Sequence, residues 1–267
     1  MILGMSLRPR ALALLELRDP VAKAEKTRAL FAAVQLGQVV LDSQAEIATP
    51  PCLPGRPSLP RLVAATEVPR RSPFTPQGRA ALIHSICHIE FNAINLALDA
   101  VWRFGGMPEA YYLDWLQVAA EEALHFTLLR EHLQTMGQDY GDFDGHDGLW
   151  QMAESTASDI VARMALVPRT LEARGLDATP PIQAKLGRAG DLRAVAILDI
   201  ILRDEIGHVA IGNRWYRWLC KRDGLDAERL YPQLVARHLA PRLRPPFNLA
   251  ARRAAGFSDA ELDALGP

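Results

Sequence analysis

The sequence predicts an all-α fold built on four long helices, with further helices at both ends. Three observations point to it. Between residues 76 and 222, apolar residues recur at three- and four-residue spacing, and no segment shows a convincing strand pattern. Helix-start pairs stand where such segments begin, as in Asp19-Pro20 and Thr75-Pro76. Three of the four long helices also carry an acid inside the apolar stripe. A carboxylate there is costly unless a cation or proton neutralises it.

Residues 1–47 read as two or three helices. Leu7–Arg18 has an apolar face of Leu12, Leu14, Leu15 and Leu17. Asp19-Pro20 opens a second helix through Leu30, Phe31, Val34 and Leu36. Residues 48–76 hold eight prolines, which forbid a regular helix, yet Leu53, Leu59, Leu62, Val63 and Val68 make the stretch too apolar for a free linker. It reads as an extended strap. Its arginines, Arg56, Arg61, Arg70 and Arg71, either recognise an anionic partner or pair with surface acids.

Thr75-Pro76 starts the first long helix, running to about Phe104, with a face of Ile83, Ile86, Glu90, Ile94, Ala97 and Val101. The second runs from near Pro108 to near Gly137 and contains Glu121-Glu122-Ala123-Leu124-His125. A Gly- and Asp-rich loop, Gln138–Gly148, follows. The third helix is expected over Leu149–Arg174, stopping at Gly175, with Pro180-Pro181 opening a separate short piece. Gly190-Asp191 restarts the chain into the fourth long helix, to about Arg222, which contains Asp204-Glu205-Ile206-Gly207-His208. A helix near Asp226–Leu239, an irregular stretch at Pro241, Pro245 and Pro246, and a capping box at Ser258–Glu261 complete the chain. One domain is expected over residues 1–267: N-terminal helices and strap (1–75), a helical core (76–222) and C-terminal helices (223–267).

The second and fourth helices thus repeat one motif, an acidic pair with a His three residues after the second acid. Residues three apart lie on one helix face, so Glu122 with His125, and Glu205 with His208, can grip one metal ion each. Trp115, Val118, Ala119, Phe126 and Leu129 share a face with Glu122; Leu198, Ile201, Leu202 and Val209 share one with Glu205. Buried salt bridges or protonated acids are the alternative. On the third helix both Glu154 and Glu172 qualify; they are 18 residues apart and share a face.

Composition sets bounds. The 267 residues are 49% hydrophobic and 23% charged with a formal net charge of −1, which argues for no nucleic-acid or membrane surface. Three widely spaced cysteines, Cys52, Cys87 and Cys220, suggest a reducing compartment and no thiolate metal site. The apolar run Ala11–Leu15 is too short for a signal peptide, and no stretch reads as a membrane span. A cytoplasmic protein is expected.

One Glu on the first helix and Glu-x-x-His on the second and fourth resembles the ferritin-like superfamily of carboxylate-bridged dimetal proteins, across residues 76–222. In that superfamily each single Glu precedes its Glu-x-x-His by about thirty residues. Glu90 precedes Glu122 by 32 and Glu172 precedes Glu205 by 33, whereas Glu154 precedes it by 51, so the resemblance selects Glu172. The implied ligand set is Glu90, Glu122, His125, Glu172, Glu205 and His208. His88-Ile89-Glu90, Glu121–Phe126, His146–Trp150, Leu171–Asp177, Asp204–Val209 and Pro246-Phe247-Asn248 resemble, more narrowly, a bacterial ferritin-like family of unassigned activity. A distant relative by resemblance is the tRNA-modifying di-iron hydroxylase.

The resemblance implies a four-helix bundle and two metal ions. Four carboxylates and two imidazoles suit iron, manganese or a mixed pair better than zinc. Glu121 and Asp204, next to the ligands, are candidates to orient His side chains on neighbouring helices. His84 and His88 share a face one turn apart at a spacing that can bind metal, but His88 reads mainly as structural, with support of a metal ligand as the alternative; His146 reads as a loop cap, with the pocket mouth as the alternative; Arg169 and Arg174 offer partners for Glu172 or Asp177, and Arg174 alternatively meets an anionic substrate. The expected function is an O₂-activating dimetal oxidoreductase, a hydroxylase or oxidase of a small organic substrate or modified nucleoside. The alternatives are a ferroxidase or iron-handling protein, and a non-enzymatic metal-stabilised bundle. No Gly-x-Gly-x-x-Gly fingerprint stands at a strand–helix turn, so an external electron donor is expected. The protein should act as a monomer or small oligomer, without membrane; nucleic acid is disfavoured, though tRNA stays open.

Overall fold

The structure is a computed structural model that describes residues 6–266. Residues 1–5 and 267, at the outer ends of the expected terminal additions, lie outside the described residues. The all-α class holds: the described residues contain no strand, only one isolated bridge between Leu62 and Gly145. The chain divides into two compact units, Met1–Asp147 and Gly148–Pro267.

The first unit holds α1 (Leu7–Leu15), α2 (Pro20–Gln35), α3 (Pro76–Arg103) and α4 (Glu109–Thr135). Asp19 caps α2 by accepting from Ala22 N at 2.8 Å, and Thr75 caps α3 by accepting from Gly78 N at 3.1 Å. Each cap is followed by Pro at the first helical turn, where no N–H is missed. α3 and α4 pack along their lengths; α1 lies on α3 and α2 on α4. By length and composition α3 could cross a membrane, but 78% of its most apolar window is buried, as in a core helix.

The strap between α2 and α3 is fixed by polar contacts. Lys23 of α2, fully buried, donates to Leu15 O, Gly55 O and Asn95 Oδ1 at 3.0, 3.0 and 2.5 Å. Burial, helped by the Arg56 charge, draws its pKa down to about 7. Arg56 pairs with Asp147 at 2.6 Å and Arg61 with Asp144 at 2.7 Å. These two arginines therefore serve the surface-acid alternative.

The second unit holds α5 (Gly148–Ser155), α6 (Ile160–Leu166), a π-helix (Val167–Glu172), α7 (Ala173–Arg188), α8 (Leu192–Arg222), α9 (Ala227–Arg237), α10 (Leu249–Ala254) and α11 (Asp259–Asp263). The continuous third helix over Leu149–Arg174 is corrected here: it breaks at residues 156–159 and passes through a π turn. Nor does Gly175 end a helix, and Pro180 and Pro181 lie inside α7. A proline leaves the carbonyl four residues back without its helical donor. For Pro180 that is Leu176, whose carbonyl accepts from Asn248 Nδ2 at 3.2 Å. Room for the Pro-containing π turn comes from α8, where a Cβ on Gly212 would sit 2.5 Å from Pro168 Cβ.

The C-terminal helices close over α7 and α8. Ala173, Leu176, Val209, Ala251, Ala255, Phe257 and Leu262 form one buried apolar cluster. Asp177 takes Arg252 at 2.6 Å, and Ser258 and Glu261 form the expected capping box.

Candidate metal centre

Glu90 projects from the middle of α3; Glu122 and His125 project from one face of α4. All three are buried, and their ligand atoms lie within 4.8 Å of one another. His125 Nδ1 is 3.1 Å from Glu90 Oε2 and 3.4 Å from Glu122 Oε2. The i, i+3 spacing does this on α4, while lengthwise packing of α3 brings the third donor to the same level.

The charge count favours a metal ion. An imidazolium between two carboxylates cancels one of two negative charges, whereas a divalent cation cancels both. The donors are oxygen and nitrogen, buried and convergent, so this Glu/His cluster fits a metal ion.

The second unit carries the parallel set. Glu205 and His208 lie one turn apart on α8, with His208 Nδ1 3.8 Å from Glu205 Oε1. Glu172 is the last residue of the π-helix and is buried, as are Glu205 and His208. Glu154, the alternative, is exposed on α5 and accepts from Trp150 Nε1 at 3.0 Å. Glu121 accepts from Gln117 Nε2 at 3.0 Å, and Asp204 from its exposed neighbour Arg203 at 2.8 Å.

Phe91 and Phe126, each one residue after a proposed ligand, have centroids 5.5 Å apart, and Tyr140 lies 5.3 and 5.2 Å from them. Ile86 and Ile94, one turn either side of Glu90, are buried. Among the described residues, one cleft of about 430 Å³ opens between α2 and α4, and another of about 170 Å³ opens beside α7. None of the six proposed ligands lines either.

His84 and His88 both serve structure, the role preferred for His88 from the sequence. His84 Nε2 accepts from Gly141 N at 2.9 Å. His88 meets Tyr140 OH at 2.9 Å and the His146 carbonyl at 3.0 Å. Burial draws both imidazoles down to about 4, so both are neutral at pH 7. Together they hold the Gln138–Gly148 loop against α3. Sequence reasoning missed Tyr140 as the hub of this lock; an aromatic in a Gly/Asp loop was its one signal. Arg169 takes neither expected partner: it donates to Glu261 and Asn213 rather than to Glu172 or Asp177, and sits 4.8–5.2 Å from the rings of Tyr216, Tyr231 and Phe257.

A family model described as "Protein of unknown function (DUF455)" matches residues 16–263. The chain belongs to the DUF455 family. This DUF455 member is also similar to an uncharacterized protein of Haemophilus influenzae, 52% identical over 236 residues, which cover 86% of this chain and 82% of the relative. No solved structure matches it significantly. Neither description assigns a substrate to DUF455 proteins, so the functional reading rests on the buried donors.

Proposed function

We propose that the protein is a ferritin-like dimetal oxidoreductase that activates O₂, with iron as the first choice of metal and manganese or a mixed pair as variants. Glu90, Glu122 and His125 would supply half the ligands; Glu172, Glu205 and His208 would supply the other half. The observation that carries the reading is the convergence of three buried donors on α3 and α4. The Glu-x-x-His on α8, with buried Glu172 before it, repeats the same donor types.

When bound and reduced, a di-iron pair supplies two electrons to O₂. The chain's own residues do the rest. Four carboxylates balance two divalent charges, which removes the cost of burying them. Phe91, Phe126, Ile86 and Ile94 keep water away from the first donor set, as oxidative chemistry requires. In this reading the substrate is a small organic molecule or modified nucleoside, and electrons come from a separate donor.

The test is anaerobic loading with Fe(II), then exposure to O₂ with uptake and optical spectra recorded. The reading expects roughly one O₂ consumed per reduced pair and no further uptake without reductant. Uptake that continues with each Fe(II) addition, with a growing ferric mineral, would instead identify iron as the substrate.

A further inference from the structure

The cleft of about 170 Å³ beside α7 is built differently from the metal centre. Arg174, Asp177 and Pro181 of α7 form one side; Leu243, Arg244 and Pro246, in the segment after α9, form the other. Asp177 is its one acid, and that charge is already taken. Arg252 donates to both Asp177 oxygens, at 2.6 and 3.0 Å, and Asn248 N adds a third bond at 2.9 Å. Arg174 and Arg244 are exposed, and neither has a carboxylate partner among the described residues. Two guanidinium groups therefore line one concavity with nothing there to balance them.

We propose that this cleft binds the phosphate group of a small-molecule phosphomonoester. Guanidinium forks match phosphate oxygens, and a dianion balances both arginines where a carboxylate balances one. The volume falls below the range of about 300–1,000 Å³ that holds a whole drug-sized ligand, so it suits a headgroup with a small apolar attachment. Pro181, Leu243 and Pro246 supply the apolar wall. The site stands apart from the metal reading: Arg174 follows Glu172 by two residues, but Glu172 is buried and Arg174 faces solvent.

Calorimetric titration of the full-length protein at low salt tests this with phenyl phosphate, inorganic phosphate and benzoate. Phenyl phosphate should bind most tightly and benzoate most weakly. Arg174→Ala and Arg244→Ala should each weaken phenyl phosphate about tenfold or more. Arg193→Ala, an exposed arginine at the start of α8, should leave it unchanged. Both cleft residues are exposed, so circular dichroism should show the fold intact. Equal affinity across all variants, or benzoate or inorganic phosphate matching phenyl phosphate, would overturn the proposal.

Discussion

His125 Nδ1 on α4 lies 3.1 Å from Glu90 Oε2 on α3. Both side chains are buried, and Glu122 adds a second carboxylate oxygen 3.4 Å from the same nitrogen. One imidazole nitrogen is thus held between two acids from different helices. A salt bridge leaves one negative charge over; a divalent cation leaves none.

Metal binding should therefore stabilise the fold. Fe(II) or Mn(II), added without oxygen, should raise the thermal midpoint, and a chelator should reverse the gain. At about a hundredfold excess over Kd the expected stabilisation is about 2.7 kcal/mol. The gain should shrink on acidification, because ligands must lose protons to bind. A midpoint indifferent to both metals would count against the cluster as a metal site.

Glu172 and Glu154 should differ sharply. Glu172→Gln is expected to lower metal content, since Glu172 is buried at the end of the π-helix. Glu154→Gln should leave metal content unchanged, since Glu154 is exposed and bonds Trp150. Metal analysis after gel filtration decides between them, and loss in Glu154→Gln alone would reverse the choice.

His84 should make stability fall in mild acid. Its folded pKa, about 4, lies below the unfolded value of about 6.5, so between these the unfolded chain binds more protons. Stability is then full above about pH 6.5 and declines as pH falls toward 4, by about 3 kcal/mol at most. His84→Gln keeps an acceptor for Gly141 N but cannot titrate. Urea unfolding at pH 7 and pH 4.5 should show a smaller loss in that variant than in the native protein.

Asn248 should matter more than a loop residue normally does. Its side chain accepts from Ala251 N at 3.1 Å, capping α10, and donates to the Leu176 carbonyl beneath Pro180. Asn248→Ala should cost about 1–3 kcal/mol in unfolding free energy. A loss within error of zero would mean that the proline-interrupted helix needs no such support.

Local chemistry made much of the fold legible. Asp19-Pro20, Thr75-Pro76 and the Ser258–Glu261 box each act within one turn, and each sits where the sequence reads it. The buried positions of Glu90, Glu122 and Glu205 follow from apolar neighbours at helical spacing. What stayed hidden depends on distant partners. Pro180-Pro181 reads locally as a break, yet both lie inside α7, where Asn248 serves the freed Leu176 carbonyl. Pro168 sits in a π turn that only a distant residue, Gly212 on α8, leaves room for. Tyr140, in a loop whose Gly and Asp residues name no partner, is held by His88 on α3.

The central claim is that these carboxylates and histidines hold metal, and iron content tests it most directly. Native protein, His125→Ala and His208→Ala would be loaded anaerobically with Fe(II), desalted and analysed, with circular dichroism confirming that each remains helical. The account predicts about two irons per native chain and a sharp loss in both variants. Native-level iron in both variants would contradict it.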